Sequence, residues 1–279
     1  MALYLIGDVQ GCDEALGRLL DALAFSPSRD QLLLLGDVVN RGPSNAAVMA
    51  RLVALDGAAQ ALLGNHDLHW LALAHGVGQP GRRDTLHDVL HHPQRTPWVN
   101  WMLARPLAVR VHGWLCVHAG VFPQWSAEQT LALAHEVQQA LGERESRQEF
   151  FAHMYANNPN QWTEGLTGVP RWRAIINGLT RMRLCSASGV MDFDIKEDAA
   201  RAPEGLMPWF EVPDRATAHT PMAFGHWSTL RGAERAHLLP LDTGCVWGGC
   251  LSAVELCALG GAPRWHHVDC AAAQNPRPA

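Results

Sequence analysis

The 279-residue chain is 48% hydrophobic and 18% charged, the composition of an ordinary globular protein long enough to bury one large core or two smaller ones. Its formal net charge of −5 excludes a histone-like or duplex-coating role, although local basic clusters such as Arg181 with Arg183 remain suited to phosphate. Seven scattered cysteines without a C-x-x-C pair read as reduced thiols, and with no signal-like or membrane-length apolar stretch we expect a cytoplasmic chain with no membrane partner.

Residues 2–6 read as a strand that stops at Gly7-Asp8, and residues 13–23, with Leu16, Leu19, Leu20 and Leu23 on one face, as a helix. A second strand over 31–35, a helix over 45–55 opened by Pro43-Ser44, and a third strand over 59–63 complete a pattern of parallel pairing through crossovers. Residues 68–105 predict two or three short helices, interrupted at 76–81, Pro93 and Pro97. His112-Gly113 separates residues 107–111 from 114–117, which predicts a hairpin with a two-residue turn. Helices are expected over 126–141, 145–155 and 171–176, and short strands over 180–184, 221–224, 236–239, 251–256 and 264–268 imply a second sheet. Residues 192–214 carry no assignable pattern, and residues 274–279 read as a frayed tail.

A short apolar run followed at once by a hard or borderline metal ligand recurs at five strand ends, at Asp8, Asp37, Asn65, His118 and His226. Ligands of open α/β sheets sit outside the carboxyl ends of the strands, where these side chains emerge. Two carboxylates, an amide and two imidazoles without a thiolate suit Mn²⁺, Fe²⁺, Co²⁺ or Zn²⁺. A pair of such ions about 3.5–4 Å apart is a recurrent clamp for in-line attack on phosphorus. Arg41 offers bidentate geometry for the phosphate oxygens, and His66, beside Asn65, is suited to protonate a leaving oxygen.

The blocks YLIGDVQGC, GDVVNRG, LLGNHDLHWLA, HAG, TRMRLC, AFGHW and LDTGCVWGG resemble, in this order and over nearly the whole chain, the phosphoprotein phosphatase family of calcineurin-like metallophosphoesterases. Within it they are similar to the bacterial symmetrical diadenosine tetraphosphatases. The resemblance implies an α/β (α+β) fold, a four-layer ββ sandwich flanked by helices, forming one catalytic domain over 1–279 with a helical cap inserted at 122–177. It implies hydrolysis of diadenosine tetraphosphate to two ADP by metal-bound hydroxide, with 5′-capped RNA ends as a secondary substrate and a monomer or homodimer as the working form. Two divalent transition-metal ions are implied, Mn²⁺ or Co²⁺ first, Fe²⁺ or Zn²⁺ otherwise. Asp8, Gln10 and Asp37 would hold the first, and Asp37, Asn65, His118 and His226 the second. His66, Arg41 and Asp67 would be catalytic, while Arg41, Asn40, Arg181 and Arg183 would meet substrate. Gln10 stands where the wider family has histidine, and Asn40 where it has an aspartate that orients the catalytic histidine, so the first metal site is expected to be weaker than usual. A protein phosphatase of the same superfamily and a non-catalytic nucleotide-binding regulator are the alternatives.

Overall fold

A computed structural model describes residues 1–195, 202–230, 237–256 and 261–275. The chain folds into two compact units, Met1–Arg105 with Leu241–Ala279, and Pro106–Pro240. Cys257, Ala236 and the last four residues, 276–279, lie outside the described residues.

The first unit opens with β1 (Leu3–Ile6), α1 (Asp13–Ala22), β2 (Gln31–Leu34), α2 (Asn45–Ala54) and β3 (Ala59–Ala61), close to the predicted bounds. The three strands pair in parallel, Leu5 opposite Leu33 and Leu33 opposite Gln60. Leu32 to Leu35 are buried throughout, which is what a run with no polar alternation requires of a strand covered on both faces. A two-pronged Arg51–Asp13 pair, Nε to Oδ1 at 2.7 Å and Nη2 to Oδ2 at 2.8 Å, joins α2 to the first turn of α1.

Three helices then follow, α3 (Asn65–Ala74), α4 (His87–Leu90) and α5 (Arg95–Leu103). Pro97 does not interrupt α5 as the sequence led us to expect. It occupies the third position of the helix, where a backbone N–H has no intrahelical partner to lose.

In the second unit, β4 (Ala108–Val111) and β5 (Trp114–Val117) form the predicted hairpin, with both turn residues in the left-handed region, His112 at φ +46° and Gly113 at φ +84°. The helices α6 (Ala127–Gly142), α7 (Arg144–His153) and α8 (Gly168–Arg181) pack on one another. Ser126 caps α6 by accepting from the N–H of Gln129 at 3.1 Å.

The strand expected over 180–184 is instead the end of α8 and a two-residue strand, β6 (Leu184–Cys185). Thr180 reads as the start of a strand, but it lies on the buried face of the helix, where its hydroxyl donates to Ile176 O at 2.7 Å. β7 (Met191–Asp192) and β8 (Met207–Pro208) flank β6 in a small antiparallel sheet that residues 192–214 did not reveal. β9 (Met222–Phe224) and β10 (Leu238–Pro240) complete a four-stranded sheet in the order β10-β9-β5-β4.

The chain then returns to the first unit as β11 (Cys250–Leu256) and β12 (Arg264–Asp269). These two strands were expected in a second sheet. They extend the first instead, in the order β12-β11-β1-β2-β3, with β11 antiparallel to β1. Pairing there covers the free edge of β1, which would otherwise expose a row of backbone donors and acceptors.

Candidate active site

In the first unit the loops after β1, β2 and β3 are fastened side by side. Gln10 N and Gly11 N donate to Asp37 O and Val38 O at 2.8 and 2.9 Å, so the loop carrying Asp8 lies along the loop carrying Asp37. Asp8 and Asp37 are both buried. Asp37 Oδ1 accepts from the N–H of His66 at 2.8 Å, which brings the start of α3 against the end of β2. Only glycine fits at position 64, since a Cβ there would run into the Asp37 carboxylate and backbone nitrogen. Asn65 opens α3, and the helix begins at the GNHD block itself rather than after it.

Asp67 has a specific task in this arrangement. Its Oδ1 accepts from Val38 N at 2.9 Å and, more weakly, from Val39 N at 3.4 Å, while Oδ2 accepts from Gly64 N at 2.9 Å. The last of these, from Gly64 N, is the N3-to-N-cap half of a capping box. Fully buried, Asp67 fastens the β2 and β3 loops to one another.

His66 is 15% exposed, with Nε2 3.8 Å from Asp37 Oδ2 and Nδ1 3.0 Å from Asn40 Nδ2. Asn40 is fully buried and its amide is committed to protein groups, so it stands behind His66 rather than against a ligand. Arg41 Nη1 lies 3.3 Å from Asp84 Oδ1. Burial opposes ionisation of Asp84, but hydrogen bonds from His69, Asn40 and the N–H of Gly81 outweigh it and hold the carboxyl well below the usual carboxylate range.

In the second unit, His118 follows β5 directly and His226 follows β9 after Gly225. The parallel pairing of β5 with β9 sets their rings 5.2 Å apart, centroid to centroid, at 64°. Gly225 N donates to His118 O at 2.8 Å and locks the two strand ends. Arg183 Nη2 donates to His226 O at 3.0 Å, beside the imidazoles. Arg181, the last residue of α8, directs its guanidinium to Asn177 Oδ1, Asn157 Oδ1 and Ala156 O and stacks on Phe193, tying the helix end to the preceding loop.

Five candidate residues, Gln10, Asp37, Asn40, Arg41 and His226, have positive φ between +47° and +80°. For residues other than glycine this conformation costs about 1–2 kcal/mol each, with Asn, Asp and His tolerating it best. Its concentration at the strand ends is a mark of function that the sequence did not display.

Sequence reasoning also passes over Asp84 and Gln274, and takes His69 for an ordinary surface or core histidine. His69 Nε2 donates to Asp84 Oδ2 at 2.8 Å, and the His66–His69 spacing, one helical turn, was the signal available for it. Gln274 Nε2 donates to Arg41 O at 2.9 Å and Arg83 O at 3.0 Å, so the segment expected to fray begins with a residue that touches the Arg41 loop.

The family model for calcineurin-like phosphoesterases matches residues 1–234, and the chain belongs to that family. It is 54% identical over 280 residues to a protein of Acidovorax ebreus named bis(5′-nucleosyl)-tetraphosphatase, symmetrical, with 99% of each chain covered. A protein of Paracidovorax citrulli with the same name is 53% identical over 281 residues, covering 99% of this chain and 100% of that one. A crystal structure named for a candidate diadenosine tetraphosphatase superposes with a TM-score of 0.63 at 22% identity, covering 96% of this chain and 93% of that one, a likeness of fold. The α/β fold is thus that of the calcineurin-like metallophosphoesterases, and membership of the family implies divalent metal ions. The donor set of the first unit fits them, since Asp8, Asp37 and Asn65 offer oxygen ligands from adjoining loops with no thiolate among them. No helix among the described residues is long and apolar enough to cross a membrane.

Proposed function

We propose that the chain is a metal-dependent hydrolase of diadenosine tetraphosphate that cleaves it symmetrically to two ADP. The observation that carries this reading is the likeness, over the whole length of both chains, to proteins named for that activity. Asp8, Gln10 and Asp37 would hold a first divalent ion, and Asp37, Asn65, His118 and His226 a second, with Mn²⁺ or Co²⁺ preferred for an oxygen- and imidazole-rich set. When bound, such ions polarise the phosphate and acidify water.

The protein groups supply the remainder. Arg41, aimed by Asp84, neutralises charge on the non-bridging oxygens of the scissile phosphate. His66 holds its ring proton at Nε2, because the Nδ1 edge faces the amide NH₂ of Asn40, and donates from Nε2 to the departing phosphate oxygen. Arg183 adds a second cation for the polyphosphate, and Asp67 keeps the loops under Asp37 and Asn65 in register. A 5′ end capped by a nucleoside tetraphosphate offers the same phosphate chain and is the secondary substrate of this reading, and the helices of 122–177 would contribute to the nucleoside pocket.

The test is incubation of purified protein with diadenosine tetraphosphate and Mn²⁺ or Co²⁺, beside a metal-free control, with separation of the nucleotides. ADP alone, formed only with metal, is the expected result. ATP with AMP would refute symmetrical cleavage, and turnover of a phosphopeptide in place of the dinucleotide would refute the substrate.

A further inference from the structure

We propose that Asp84 is the positioning carboxylate of this site, setting the ring of His66 through the Asn40 amide and the guanidinium of Arg41 directly. The inference deepens the hydrolase reading above and rests on it. Asp84 does not come from a strand end. It stands in the loop between α3 and α4, its side chain only 5% exposed. Oδ1 accepts from Asn40 Nδ2 at 2.9 Å and from Arg41 Nη1 at 3.3 Å, while Oδ2 accepts from His69 Nε2 at 2.8 Å and Gly81 N at 2.5 Å.

The step that makes this more than a buried ion pair is the orientation of Asn40. Its Oδ1 accepts from two backbone donors, Arg41 N at 2.8 Å and Thr85 N at 3.1 Å. Turned over, the amide would set its NH₂ against those two N–H groups and its oxygen against a carboxylate, so the assignment is fixed by the network. The two Nδ2 hydrogens are therefore directed at Asp84 Oδ1 and at His66 Nδ1. Asp84 anchors one of them, which aims the other at the ring. The imidazole is left with Nδ1 as acceptor and Nε2 as the proton-bearing atom.

The same carboxylate also restrains Arg41, whose backbone and that of Asn40 are left-handed at φ +68° and +80°. One buried charge thus sets both groups that would meet phosphate, and two further contacts hold it in place. These come from His69 Nε2, one helical turn after His66 on α3, and from Gly81 N.

The test is a kinetic cycle with Asp84→Ala and Asp84→Asn, each in the wild-type and His66→Asn backgrounds, assayed on diadenosine tetraphosphate with Mn²⁺. We expect kcat to fall about 10- to 100-fold in the wild-type background, the usual cost of losing an outer partner of a catalytic group, and KM to rise through Arg41. In the His66→Asn background the kcat loss shrinks to the part carried by Arg41, and the KM rise remains. Added formate restores part of kcat to Asp84→Ala. A kcat loss of equal size in both backgrounds, or a lowered melting temperature with kcat and KM unchanged, overturns the proposal. Asp84→Asn keeps the volume of the side chain and serves if Asp84→Ala does not fold.

Ring-nitrogen spectra of ¹⁵N-histidine-labelled, metal-free protein, recorded where the His66 ring carries a single proton, read the same assignment without turnover. His66 is expected as the single Nε2–H tautomer, becoming a mixture in Asp84→Ala. A proton on Nδ1 in the wild type overturns the proposal whether or not the dinucleotide is cleaved, whereas a wild type that shows the expected tautomer but does not cleave the dinucleotide overturns only the hydrolase reading.

Discussion

Replacing Asp67 separates its fastening role from chemistry. Asp67→Ala deletes two well-formed charge-assisted bonds, to Val38 N and Gly64 N at 2.9 Å each, and one weaker bond to Val39 N. A hydrogen bond to a charged group contributes about 1.5–3 kcal/mol net, so the two strong ones together are worth about 3–6 kcal/mol. That is a large part of the roughly 5–15 kcal/mol that holds a domain folded. Asp67→Asn keeps one acceptor but turns an NH₂ against a buried N–H, and is expected to cost about 2–3 kcal/mol. Urea denaturation followed by tryptophan fluorescence reads both, since at a slope of about 1–3 kcal/mol per molar the midpoint of Asp67→Asn should fall by about 0.7–3 M. Calorimetric titration of Mn²⁺ should show weaker binding in the same variant, because the Asp37 and Asn65 loops lose their common fastener. An Asp67→Asn protein within about 0.5 kcal/mol of the wild type, with unchanged metal affinity, would refute the reasoning.

Gly64→Ala drives a Cβ into Asp37 and is expected to cost about 1–3 kcal/mol by overpacking and to abolish high-affinity Mn²⁺ binding; unchanged calorimetric titration would contradict it. Gln10→His replaces an amide by an imidazole at a buried left-handed position that histidine tolerates, so the Mn²⁺ concentration giving half-maximal activity should fall, and an unchanged midpoint would remove Gln10 from the ligand set. Asp30 is held well below the usual carboxylate range, first by its hydrogen bonds from Arg29, against the opposing effect of burial, and further by Ala2 N and Ser26 N. Its folded pKa being depressed, it contributes stability that is present above about pH 4 and lost as the pH falls toward that folded value. Asp30→Asn should therefore melt lower than the wild type at neutral pH, with the gap closing on acidification; parallel melting curves across that range would sink the assignment.

The candidate ligands were legible because each follows a strand whose apolar run is too short and too uniform to be anything else. Asp8, Asp37 and His118 emerge where residues 3–6, 31–34 and 114–117 end, and the hairpin at His112-Gly113 was carried by two residues suited to positive φ. Helix and strand bounds failed where local propensity and tertiary burial disagreed, as at the end of α8, where β-branched Thr180 favours a strand in isolation. The sheet order failed for a different reason. Nothing within residues 250–269 states that they will pair with β1, since strand pairing is a property of two distant segments. Asp84 was illegible on the same ground, because its bond to Asn40 spans 44 positions and that of Gln274 to Arg41 spans 233, with no periodicity linking the partners.

That division also orders the consequences of change across the first unit. The strands that deliver Asp8 and Asp37 are buried and tied by backbone ladders, so their donor positions are stiff and tolerate substitution around them poorly. His66 and Arg41 take their positions instead from the side chains of Asn40 and Asp84, in a loop that is left-handed at Asn40 and Arg41. A left-handed asparagine followed by a left-handed arginine persists only while the groups around it hold it there, at a cost of about 1–2 kcal/mol for each such residue. Loss of Asp84 should release that loop toward ordinary φ values while the sheet keeps its register. The damage would then appear as misplacement of the proposed acid and the proposed phosphate-binding cation, with the proposed metal ligands left in place.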